Sequence, residues 1–442
     1  MENIVPGSAS PQVTFQVVTS SDVPPAPKRM FSAPAAAVKP VPEVGCLSHL
    51  SHGCPGFTDR TAVMKVTPQT LGTVLGNLQI VIPLFQRRYC WTEKQGASWW
   101  RDLRNLMKKG GWNSSHGTGK IVVMQQKSGG VSQMVCIDGQ QRLTTTMLLI
   151  AAIRDAAAAI APNDSAAFAA LQSRLNSLLY MADANCRLQP SYIDRASFFS
   201  LLGYGDHVSP STPTSVNPSL VSMKSLFDQR VAEMLRGCAS RDKMVAALAQ
   251  VLVQAVDEMY VVCTEVETPG ANLCQIFLWL QLTSCTCFLY NASPGETFYA
   301  ADLVRNFLLA PQMMSKGGDV SSRALEEAFV RRWVGPVELR LPSTSAIDAT
   351  LNAFMAHWYG YEFHGKWKNQ RASVGEFEKT IVGTISFLKS KKVIAHSTDG
   401  VELYACFLTF FDDFQKCQGL NENAALNSIL EMFVEFIARC YC

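Results

Sequence analysis

One stretch constrains the fold of this chain more than any other: Val135-Cys136-Ile137-Asp138-Gly139-Gln140-Gln141-Arg142-Leu143-Thr144-Thr145. A short apolar run of β-type residues meets Asp-Gly, a pair suited to a tight turn, and the apolar positions that follow (Leu143, Met147, Ile150, Ala151) fall at helical spacing. A strand that feeds directly into a helix places the chain in a mixed α and β class, with the strand in a sheet and the helix packed on it.

The flanking sequence fits that frame. Thr67-Pro68 predicts a helix start, with Leu71, Val74, Leu75 and Leu78 on one face. Ile80 to Phe85 reads as a short buried strand ending at a proline, and Thr92-Glu93-Lys94-Gln95 has the form of a capping box. The helix it opens carries Trp100, Leu103, Leu106 and Met107 and stops at Gly110-Gly111. Lys120 to Met124 and Gln133 to Ile137 read as two strands joined at Ser128-Gly129-Gly130. From about residue 165 the pattern is helical almost throughout, including Met244 to Tyr260, Ala301 to Leu309, Val374 to Leu388 and Ala424 to Cys440. Tyr260 to Val266 is the one strand candidate there. Residues 1–60, rich in Pro, Ala and Ser (Pro24-Pro25-Ala26-Pro27), bury too little to offset chain entropy and read as a disordered tail. The expectation is therefore an α+β fold: a tail over 1–60, a small α/β domain over 65–160 and a mostly helical domain over 165–442.

A net charge of +3 over 442 residues argues against binding nucleic acid through bulk charge, while leaving a local basic groove open. The 14 cysteines are scattered, with no Cys-x-x-Cys pair, which fits a reducing cytoplasmic or nuclear setting. The N-terminus shows no secretory signal pattern, and its few arginines set it apart from an organelle transit peptide. The uncharged stretch Thr268 to Gly295 is broken by Gln281, Thr283, Ser284 and Thr286, so we read a buried helix and no membrane partner. Cys46, His49, His52 and Cys54 are zinc-type ligands, but structural zinc sites usually spread their ligand pairs over a dozen or more residues.

Two clusters carry the chemistry. A helix that starts at Gly139 presents free N–H groups and a positive dipole end, which suits a phosphate, and the Arg142 guanidinium suits phosphate oxygens. Asp138 could hold hydrated Mg²⁺ or orient a water, while Gln140 and Gln141 could bond a base, ribose or water. The plain alternative is a turn with solvated Gln and Arg side chains. The second cluster, Pro83-Leu84-Phe85-Gln86-Arg87-Arg88-Tyr89-Cys90-Trp91, sets two arginines among aromatic rings, suited to clamping a phosphate and stacking a base; its alternative is a packed domain edge.

In order and spacing, these clusters resemble the N-terminal domain of the GmrSD family of modification-dependent restriction enzymes, a nucleotidase domain related to the ParB/sulfiredoxin fold. The resemblance rests on Pro83 to Trp91, Trp99 to Leu106 with Asp102, Gly119-Lys120-Ile121-Val122, and Ile137 to Thr145. A weaker element comprises Phe288-Leu289-Tyr290-Asn291, Gly295 and Ala301 to Leu309. The resemblance spans roughly residues 65–310 and implies binding of a nucleoside triphosphate, GTP or a mixed preference, with Mg²⁺-dependent hydrolysis. It implies catalytic roles for Asp138 (also the metal residue), Gln141 and Arg142, and nucleotide contacts from Gln86, Arg87, Tyr89, Gly139, Gln140 and Thr144. Asn291, Asp302 and Asn306 would lie nearby or serve between helices. Nucleic acid is an implied partner, and the oligomeric state is left open. The family's metal-binding nuclease pattern has no counterpart at His357 or His396, and Cys274 to Cys287 reads as inserted sequence. A non-catalytic nucleotide sensor or interaction protein on the same fold is the alternative.

Overall fold

The structure, a computed structural model, describes residues 64–109, 116–128, 130–160, 165–204, 216–267, 273, 276–277, 299–314, 323–341, 343–362 and 399–440. Its centre is a six-stranded mixed sheet in the order β1-β6-β3-β4-β2-β5. The strands are β1 (Met64–Thr70), β2 (Gln79–Val81), β3 (His116–Ser128), β4 (Val131–Asp138), β5 (Leu188–Gln189) and β6 (Met259–Val266). β3 and β4 pair antiparallel around Gly130, β2 runs parallel to both β4 and β5, and β6 lies parallel to β3 and antiparallel to β1.

Side-chain alternation decides how the sheet is covered. In β3, Ile121 and Val123 point into one core while Val122 and Met124 point into another; in β4, Cys136 joins the first and Val135 and Ile137 the second. A sheet apolar on both faces must be covered on both. The first face takes α1 (Leu71–Gly76), α2 (Glu93–Lys109), α3 (Gln140–Ala159), α4 (Ala166–Leu179), α5 (Arg195–Leu201), α6 (Pro218–Leu235) and α7 (Arg241–Val253). The second takes α8 (Ala300–Met314), α9 (Arg323–Phe329), α10 (Thr344–Glu362), α11 (Asp399–Gln418) and α12 (Glu422–Cys440). α3 is buried along nearly its whole length and forms the spine of the first layer. Among the described residues no helix is long and apolar enough to cross a membrane.

The α+β expectation holds, and so does the direct passage from β4 into α3. Of the capping box at α2 the Gln95 side is present: Gln95 Oε1 accepts from the Thr92 backbone N–H at 3.0 Å and from the Thr92 hydroxyl at 2.6 Å. Thr67-Pro68, expected to open a helix, lies instead inside β1, and the helix begins after its N-cap Thr70. β1 is an edge strand, where a proline's missing N–H leaves no ladder partner wanting. The sheet also takes strands from beyond residue 160, since β5 and β6 come from positions 188 and 259 onward. The helix expected over Val374 to Leu388, the zinc-type ligands near residue 50, Gly110-Gly111, Asn291 and most of the 268–295 stretch lie outside the described residues.

The β4–α3 turn depends on Gly139. Its φ is +103°, and a Cβ there would stand 2.8 Å from Ile121 Cγ1. Gly139→Ala is expected to lower stability by about 1–3 kcal/mol, seen as a drop in the thermal midpoint. An unchanged midpoint would show that the turn tolerates an L side chain.

Candidate functional site

The two sequence clusters meet, and they do so through side-chain amides gripping backbone. Gln140, at the start of α3, donates from Nε2 to the carbonyl of Arg87 at 2.7 Å. Gln141 accepts at Oε1 from the Cys90 and Trp91 N–H groups, at 3.0 and 3.3 Å, and donates from Nε2 to the carbonyl of Arg88 at 3.2 Å. Gln86 reaches back and donates to the carbonyl of Ile137 at the end of β4. The loop from Phe85 to Trp91 is irregular and largely buried, so its backbone groups need partners, and α3 supplies them.

Further side chains complete the grip from distant parts of the chain. Asp194 Oδ2 accepts from the Tyr89 N–H at 2.5 Å, and Asn217 Nδ2 donates both to the Tyr89 carbonyl at 3.0 Å and to Asp194 Oδ1 at 2.7 Å. The Tyr89 hydroxyl bonds Thr145 Oγ1 at 2.7 Å, and burial pushes that hydroxyl's pKa far up, so it stays protonated. Burial also raises the Asp194 carboxyl; the two hydrogen bonds and the Arg88 guanidinium, 3.6 Å from Oδ1, oppose that rise. On the far side Arg305 Nη2 donates to the Phe85 carbonyl at 2.5 Å.

The loop so held forms one wall of a cavity of about 410 Å³. Arg87, Arg88, Tyr89 and Trp91 line it from the loop, and Tyr299, Asp302, Arg305, Trp333 and Glu338 from the helical layer opposite. Thr92, just before α2, and the first turns of α6, α8 and α10 also line it, the last three through Ser219, Ala301 and Thr344. Side chains take the N–H groups of Thr92 (Gln95 Oε1), Ser219 (Asn217 Oδ1) and Ala301 (Asp348), so what these helix starts offer is a positive dipole end, which beside two arginines favours an anion.

Residues 71–280 match the family model of the GmrSD restriction endonuclease, N-terminal domain. Over those residues the chain belongs to the GmrSD N-terminal family. None of the curated proteins matches it in sequence. The matched span runs from α1 past β6, so it takes in every strand of the sheet except β1, as well as the whole Phe85–Trp91 loop.

Within this GmrSD domain the expected site residues divide into two groups. Arg87 and Tyr89 line the cavity. Gln140, Gln141 and Thr144 are buried behind the loop, the two glutamines as its backbone partners, and Gln86 is a buried loop residue that bonds the Ile137 carbonyl of β4. Arg142 is turned to β3, where a register shift between Gly117 and Lys120 interrupts the ladder. Its Nε donates to the Thr118 carbonyl at 2.8 Å and its Nη1 to the Lys120 carbonyl at 3.4 Å. Gly119 makes room for it, since a Cβ there would lie 2.9 Å from Nε. Arg142 and Arg87 therefore do not share the cavity. Asp138 ends β4, half-buried, and is likewise not among the lining residues. Among the described residues no group of three or more His, Cys, Asp or Glu side chains could hold a metal ion.

Arg88, from the second cluster, and Arg305, from the Ala301 to Leu309 element, complete the site together with Asp194, Asn217 and Glu338, which no sequence motif marks. A further one is Asp348 on α10, whose carboxylate accepts from the Ala300 and Ala301 N–H groups at 3.1 and 2.6 Å and so caps α8. Burial, partly offset by those bonds, lifts its pKa from 3.8 to about 6. Between those values the folded chain holds a proton that the unfolded chain has lost, so this residue's contribution to stability falls as pH rises through that window. Thermal unfolding of wild type and Asp348→Asn at pH 4 and pH 7 should show the wild type losing ground relative to the variant at the higher pH. A pH-independent difference would contradict this.

Proposed function

We propose that this GmrSD-type chain binds a nucleoside triphosphate in a restriction-type system, with the phosphates in the cavity beside Arg87 and Arg88. The observation that carries this reading is a loop presenting two adjacent arginines to a cavity on which helix starts converge. A bidentate guanidinium suits phosphate oxygens, and the positive dipole ends of the helix starts add to the attraction. Tyr299 supplies aromatic surface for a base. In this proposal magnesium enters on the nucleotide's own phosphates.

The geometry favours binding over turnover. Gln141 and Arg142, to which the family resemblance assigns hydrolysis, hydrogen-bond backbone carbonyls and N–H groups, and Asp138 stands outside the cavity lining. They act as positioning residues, and the nucleotide-sensing form of the proposal follows. Phosphate release with Mg²⁺ decides between the two forms. Equal rates for wild type and Asp138→Ala support a sensor; release abolished in the variant supports an NTPase. Contact with nucleic acid, the partner that the resemblance implies, would appear as affinity falling steeply with salt.

Occupancy itself has a direct probe. Cys90 is an exposed cysteine that lines the cavity, while Cys417 and Cys440 are exposed elsewhere. A saturating nucleoside triphosphate is expected to slow alkylation of Cys90, followed by peptide mass spectrometry, and to leave Cys417 and Cys440 unaffected. Unchanged labelling of Cys90 at saturation would remove the cavity from consideration.

A further inference from the structure

We infer that Asp194 is a positioning residue for the anion site. Charged, it holds Arg88 back from the anion; protonated, it releases Arg88 to it, so that anion affinity rises as pH falls. This rests on the anion-binding part of the reading above. Asp194 closes the 3₁₀ turn Tyr192–Asp194, is 3 % exposed and does not itself line the cavity. It acts through Arg88, which does.

The contacts of Asp194 fall into two kinds. The Tyr89 N–H and Asn217 Nδ2 are neutral donors, at 2.5 and 2.7 Å, and bond the side chain whether or not it carries charge. The contact to Arg88 is different: Nε stands 3.6 Å from Oδ1, too far for a hydrogen bond, and rests on opposite charge alone. Arg88 Nε and Nη2 have no hydrogen-bond partner among the described residues, although both are buried. A guanidinium held by charge, with donors unfilled and a cavity beside it, is poised to exchange one anionic partner for another.

The surroundings favour a proton on Asp194. Burial acts most strongly against the charged form, and Glu338, ending the π-helical segment Val330–Glu338 on the other side of the cavity, adds to it. Arg88 opposes them from the loop, while the Tyr89 hydroxyl beside it stays neutral. Arg195, next in the chain, is turned away to Glu326, at 3.0 and 2.5 Å. A proton taken from water has an acceptor, since Ser191 Oγ lies 3.4 Å from Oδ2 and its hydroxyl can turn from donor to acceptor. An anion arriving at Arg88 removes the countercharge and brings a second negative charge, so binding and protonation support each other.

The test titrates the full chain with inorganic tripolyphosphate from pH 5 to pH 8, for wild type and Asp194→Asn, with circular dichroism confirming that the variant folds. The ratio of the two affinities removes the ligand's own ionisation and that of groups common to both proteins, Asp348 among them. At pH 8 Asp194→Asn should bind about 5-fold or more tightly than wild type, the lower end of couplings between linked sites. That advantage should shrink as the pH falls and wild-type Asp194 takes up its proton. A residue that merely braced the loop would give the opposite sign, a folded variant with weaker binding at every pH, and that result would overturn the inference. A second arm leaves Asp194 in place. Sulfate, whose charge is constant over this range, should compete with tripolyphosphate better at pH 5 than at pH 8 in wild type, and Arg88→Ala should remove most of that difference. Tripolyphosphate binding that needs Arg88 but shows no such pH dependence would refute the role of Asp194 and leave the phosphate site intact. No binding of tripolyphosphate by wild type at any pH would overturn both.

Discussion

Arg305→Ala is expected to lose about 3–5 kcal/mol of folding stability. Arg305 is 3 % exposed and joins three groups: Nη1 to Glu338 Oε1 at 3.0 Å, Nη2 to the Phe85 carbonyl at 2.5 Å, and the Asp302 carboxylate at 3.2 Å. Replacing both ions by apolar groups of similar volume is often neutral, because desolvation offsets much of the Coulomb attraction. Removing the cation alone is different. It leaves Asp302 and Glu338 buried without their countercharge and the Phe85 carbonyl without its donor.

The double variant Arg305→Ala with Glu338→Gln should recover part of the loss. The glutamine removes one buried charge and keeps an acceptor for Trp333 Nε1. Urea unfolding, compared at constant m-value, measures both. A single-variant loss under about 1 kcal/mol would show that the ion cluster is solvated and contributes as little as a surface pair.

How far the fold is legible follows from the range of each signal. The passage from β4 through Gly139 into α3 is local, and the residues themselves dictate it: apolar alternation, a glycine at positive φ, then helical spacing. The edge strand β1 reads wrongly from sequence because Thr-Pro before a helical pattern is a genuine start signal. What overrides it is pairing with β6, almost two hundred positions later, where Pro68 stands opposite Val262. Tyr260 to Val266 is readable as a strand, but no local pattern says that it slots between β1 and β3.

The site divides in the same way. That the two Arg-bearing clusters meet can be inferred from their chemistry and order. What each residue does there cannot, because a glutamine that bonds a ligand and one that bonds backbone look identical in sequence. Arg142 shows this best: its place in the first turn of α3 suggests a phosphate ligand, yet the interrupted ladder of β3 takes its guanidinium. Asp194 and Asn217 carry no sequence signal. Their hydrogen bonds to Tyr89 span more than a hundred positions, and each sits in an otherwise unremarked stretch.

Arg88→Ala, with Arg87→Ala beside it, should weaken binding of a nucleoside triphosphate by roughly 10- to 150-fold for each charge-assisted hydrogen bond to phosphate that the substitution removes. It should barely move the unfolding midpoint. Arg88 is 30 % exposed in its side chain, and its ion pair to Asp194 is 3.6 Å long, so the fold draws little on it. Arg142→Ala should behave in the opposite way. It strips two donors from the carbonyls of Thr118 and Lys120 and so lowers stability by about 1–3 kcal/mol, and it touches affinity only through the shape of the loop's support. Gln141→Ala falls between them. Without its three bonds to the loop, Arg88 is free to sample other positions, and the ordering that the native loop has already undergone must then accompany binding. Titration of each variant with a fluorescent GTP analogue, alongside its thermal midpoint, separates these roles. If Arg142→Ala matched Arg88→Ala in its drop in affinity while keeping wild-type stability, the phosphates would belong at the start of α3 and not in the Arg87–Arg88 cavity.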